Sequence, residues 1–124
     1  MSDFGPRTME GFLSEAEADF LRDYCANRAA WGEMMQDNFW AGRTVNYSRV
    51  EEPEVSKLIA RMALGARDFI LREYGDPEIY ADTMDLVRWP VGLSQSPHCD
   101  DMSDNEHQHP KFSHRKYGCI VYLN

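Results

Sequence analysis

His98-Cys99-Asp100 sets an imidazole and a carboxylate two positions apart. In a strand, such residues point to the same face, so both side chains can occupy adjacent corners of one metal ion while Cys99 faces away. Two histidines and one carboxylate on one face make the facial triad that holds non-haem Fe(II) and leaves positions open for substrate and O₂. Taken alone, the triplet also fits an exposed His and Asp in a polar loop. The remaining histidines, His107, His109 and His114, follow within sixteen residues of His98. His107 and His109 are again two apart. A set of His98, Asp100, His107 and His109 could therefore bind zinc or iron, although its spacing matches no standard structural zinc motif. The plainer account of "HQHP" is a solvated loop.

Other chemistries fit less well. The chain has no GxSxG elbow, no P-loop and no GxGxxG. Cys99 next to His98 is a poor thiolate-base pair, because neighbours on a strand point apart. Cys119 lies in an apolar run and reads as core. Trp31, Phe39 and Trp40 read as core or pocket wall. They do not read as a base-stacking platform, because the chain is acidic.

The elements that would position these residues can be read from periodicity. Ser14 followed by Glu17 is a capping-box pattern. Ala18, Leu21, Cys25 and Ala29 then share a helical face with Phe20 and Tyr24 beside it, which predicts a helix over 15–29. Thr44-Val45-Asn46-Tyr47 predicts one or two short strands. Val55, Leu58, Ile59, Met62, Ala66, Phe69 and Ile70 form one stripe of a long helix that starts near Pro53 and stops at Gly75 and Pro77. Its outer face carries Lys57, Arg61, Arg67 and Arg72, expected in solvent. "EIYADTMDLVRWPVG" and "KYGCIVYLN" read as two further strands joined by a polar loop, and loops of such length are usually functional or disordered. Helices that precede the main strands predict an α+β fold with the helices on one side of a sheet. The last apolar strand should be buried and paired on both sides.

Bulk composition narrows the function classes. The 124 residues suffice for one domain and one core. A formal net charge of −8 argues against a nucleic-acid partner, which needs a basic face. No apolar run approaches the roughly 20 residues that span a membrane, and the N-terminus does not read as a signal peptide. Three widely spaced cysteines argue against a disulfide framework and for a reducing, cytoplasmic setting.

"LVRWPVGLSQSPHCDD" followed by "HRKYGCIVYLN" resembles the Fe(II)- and 2-oxoglutarate-dependent dioxygenases of the prolyl 4-hydroxylase type. In that family an aromatic stands three residues before a Gly, the Gly stands six before the ligand His, and a Pro commonly precedes that His. Trp89, Gly92, Pro97, His98 and Asp100 keep this register, and Arg115 with Tyr122-Leu123-Asn124 matches the family's later segment. The likeness covers about Leu86 to Asn124. Departures are Trp89 for the usual Tyr, Gln95 where many members have a second Tyr, and Gly118 where many have Thr.

The resemblance implies a distorted double-stranded β-helix, a jelly-roll or cupin-like sheet, with 1–78 as helical support and 79–124 as the first core strands. It implies His98 and Asp100 as Fe(II) ligands, with Tyr122 on the 2-oxoglutarate carboxylate and Trp89 as a wall. It further implies O₂ as oxidant, ascorbate as an auxiliary reductant, and hydroxylation of a protein side chain or a small molecule. The family's distal ligand His and its 2-oxoglutarate-binding Arg or Lys follow Tyr-Leu-Asn, and neither stands at such a place in these 124 residues. The expectation is therefore the N-terminal part of such an oxygenase, a single incomplete domain inactive by itself. Two other readings stay open: a small zinc or iron module using His98, Asp100, His107 and His109, and a non-catalytic β-helix domain that binds a partner.

Overall fold

The computed structural model describes residues 5–32, 40–95 and 114–123. It is mixed helix and sheet: α1 (Glu15–Asn27), β1 (Thr44–Asn46), a 3₁₀ turn (Tyr47–Arg49), α2 (Pro53–Tyr74) and β2 (Asp85–Val87). The α+β expectation holds at this level; a jelly roll is not shown. The chain divides into two compact units, Met1–Arg88 with Leu123–Asn124, and Trp89–Tyr122. All five elements lie in the first.

The predicted capping box opens α1. The Glu17 N–H donates to Ser14 Oγ (3.1 Å), and the Ser14 N–H donates to Glu17 Oε1 (2.9 Å), so two donors that the helix leaves unpaired are satisfied reciprocally. Leu21 and Tyr24 are buried, and Cys25 is half-buried beside them. Phe20, expected next to that face, is exposed instead. Position 20 is one residue ahead of Leu21, about 100° round the helix, which turns it away from the packed stripe.

Helix α2 follows its predicted stripe closely. Val55, Leu58, Ile59, Met62 and Ile70 are buried. Pro53 opens the helix, where a missing N–H costs nothing, and Gly75 closes it in the left-handed conformation (φ +70°, ψ +27°). The first turn is also tied back by Ser56 Oγ, which donates to Val50 O (3.1 Å). Helices α1 and α2 pack together. Glu17, already in the capping box, also pairs with Arg61 of α2. Arg28, just past α1, donates through Nε to Glu52 at the head of α2 (2.7 Å) and also pairs with Asp23. The cationic face is less uniformly solvated than predicted: Arg67 is half-buried, and its Nε donates to Ile79 O (3.0 Å), which holds the returning chain against α2. At the other end, Tyr74 Oη donates to Gly5 O (2.7 Å).

The two strands pair antiparallel with Thr44 opposite Val87, Val45 opposite Leu86 and Asn46 opposite Asp85. The ladder continues past both ends: Arg88 N–H donates to Arg43 O (2.9 Å) and Tyr47 N–H to Met84 O (2.8 Å). Asn46 Nδ2 donates to both Thr83 Oγ1 (2.9 Å) and Asp85 Oδ1 (2.8 Å), which pins the register. On the other side of β1, Gly32 N–H donates to Thr44 O (2.9 Å).

The expected final strand is not formed: among the described residues, 115–123 adopts neither helix nor strand. Ile120 and Tyr122 are exposed, and so is Cys119, which is not the core residue its apolar surroundings suggested. An apolar run becomes a strand only through a ladder partner, and none of the described residues supplies one here. No helix of the described residues is long and apolar enough to cross a membrane.

Candidate functional site

The stretch between β2 and residue 95 leads toward the His98-Cys99-Asp100 triplet. Strand β2 ends at Val87, and its hydrogen bonding ends one residue later at Arg88. Trp89 then opens the second unit. The Leu93 N–H donates to Pro90 O (3.2 Å), closing a tight turn over Pro90–Leu93. Gly92 is the third residue of that turn with φ +88°, a conformation that a type II turn demands at this position and that residues with a Cβ adopt only under strain. The residue whose place was read from the family register is therefore a backbone requirement of this turn.

The predicted site residues divide by position. His98, Asp100, His107 and His109 lie outside the described residues, as does Phe39. His114 is exposed and Arg115 half-buried. Trp89 is 46% exposed and Tyr122 78% exposed. Among the described residues no group of three His, Cys, Asp or Glu side chains is placed to hold a metal ion.

A second feature, at the base of the β1–β2 pair, escaped the reading from sequence. Arg43 and Arg88 are directly opposite each other across the ladder, so their side chains emerge on one face. Like charges so placed repel. Each guanidinium lies over an indole: Arg43 over Trp40 (5.0 Å to the ring centroid) and Arg88 over Trp31 (4.8 Å). A negative ring face attracts a cation, which offsets part of that repulsion. Arg88 Nε also donates to Gly42 O (2.8 Å), and Trp31 Nε1 donates to Cys25 O (3.0 Å), which anchors the indole to α1. Arg43 is 6% exposed, the most buried cation among the described residues. No period-2 pattern marks its place, because Arg43, Thr44 and Val45 are all buried. The two tryptophans are half-buried walls of this cluster, in line with their predicted structural role.

Elsewhere in the first unit, charged groups pair around the end of α1. The Arg28 guanidinium, with help from Asn27, holds the Asp23 carboxyl below its usual range, while burial pushes the Tyr24 hydroxyl and the Cys25 thiol up. A half-buried, protonated Cys25 is a poor nucleophile.

Compared with family models, with curated proteins and with solved structures, the chain matches none of them.

Proposed function

We propose that the chain carries the first two iron ligands, His98 and Asp100, of an Fe(II)- and 2-oxoglutarate-dependent dioxygenase of the prolyl 4-hydroxylase type, and that its helices support the opening strands of a double-stranded β-helix. The complete enzyme would hydroxylate a protein side chain or a small molecule. The carrying observation is the joint register of Trp89, Gly92, Pro97, His98 and Asp100 with Arg115 and Tyr122-Leu123-Asn124. The turn supports it: the position that the register reserves for Gly has φ +88°. The order of elements, two helices and then β2 leading into the ligand stretch, is the order the reading needs.

Bound iron would supply activation of O₂. His98 and Asp100 would hold it, and Tyr122 and Trp89 would contact the 2-oxoglutarate co-substrate.

Anaerobic titration with Fe(II) and Zn(II) tests this. His98→Ala and Asp100→Ala should each abolish or sharply weaken Fe(II) binding, while His107→Ala and His109→Ala leave it unchanged. Loss of binding in the His107 and His109 variants as well would favour the small zinc or iron module of His98, Asp100, His107 and His109, and loss in the His109 variant with retention in the His98 variant would overturn the dioxygenase reading.

A further inference from the structure

We draw no further inference here: the strongest candidate, the exposed apolar surface that Val91, Ile120 and Tyr122 present on the second compact unit, carries nothing because nothing in the structure shows what covers it.

Discussion

Gly32 and Gly42 stand on either side of residues 33–41 and separate two effects that glycine substitutions usually mix. Both have positive φ, +81° and +74°. Among the described residues a Cβ on Gly42 would meet nothing within 4 Å, whereas a Cβ on Gly32 would fall on the backbone N and Cα of Gly42 and lie 3.3 Å from the carbonyl carbon of Ala41. Gly42→Ala should therefore cost only the left-handed strain, about 1–2 kcal/mol. Gly32→Ala carries the same strain and adds a clash with backbone that cannot rotate aside, about 1–3 kcal/mol. Relief of that clash would pull Gly32 N–H away from Thr44 O, a bond worth about 1 kcal/mol. The expected gap between the two variants is about 1–4 kcal/mol. Urea unfolding followed by circular dichroism reads it directly. With an m-value of about 1.5 kcal/mol/M, the Gly32→Ala midpoint should lie about 0.7–2.7 M below that of Gly42→Ala. Coincident midpoints would refute the close approach of the two glycines and, with it, the anchoring of β1 described above.

Three further outcomes follow from other parts of the first unit. Leu21 is fully buried on the face of α1 that packs on α2, so Leu21→Ala should lower unfolding free energy by about 2–5 kcal/mol, and a loss below 1 kcal/mol by the same assay would contradict that packing. Thr44 Oγ1 is buried and has no hydrogen-bond partner among the described residues. Thr44→Val removes that uncompensated hydroxyl and keeps the β-branched shape, so it should raise stability by about 1 kcal/mol; a destabilised variant would mean that the hydroxyl is satisfied. The Asp23 carboxyl is held below its ordinary value of 3.8 by Arg28, so its contribution is present above that pH and is lost as pH falls through the depressed folded value. Asp23→Asn should accordingly flatten part of the acid limb of a stability-pH profile while leaving its shape near pH 7 unchanged. An unaltered acid limb would show that the pair contributes nothing to folding.

The helices were legible because their signals are local. Ser14 and Glu17 announce α1, Pro53 and Gly75 bracket α2, and a stripe at 3.6-residue spacing names the buried side of each. The strands were legible as short β-branched stretches but not as a pair. Their register depends on Asn46 reaching Thr83 and Asp85, more than thirty residues away, which no local pattern encodes. Residues 119–123 show the same limit from the opposite side: apolarity at Ile120 and Tyr122 predicts burial, yet both are exposed, because burial also needs something to pack against. Arg43 is the instructive omission. Its charge argued for the surface, yet Arg43, Thr44 and Val45 are buried in succession, a run that strand alternation does not predict. For the candidate site, the motif register was legible in the sequence, and the structure adds the turn at Gly92 that leads toward the triplet.

The ladder parity of the small sheet has a consequence for how the sheet can grow. Arg43 with Arg88 and Tyr47 with Met84 are hydrogen-bonded pairs, so Thr44 and Asn46 on β1, and Asp85 and Val87 on β2, turn their peptide groups outward. On the β1 side Thr44 O is already occupied by Gly32 N–H. On the β2 side, among the described residues, the peptide groups of Asp85 and Val87 meet no partner. Among the described residues the sheet is thus one-sided: the outward peptide groups of β2 are open to a third strand, whereas Thr44 O on β1 is already taken by Gly32.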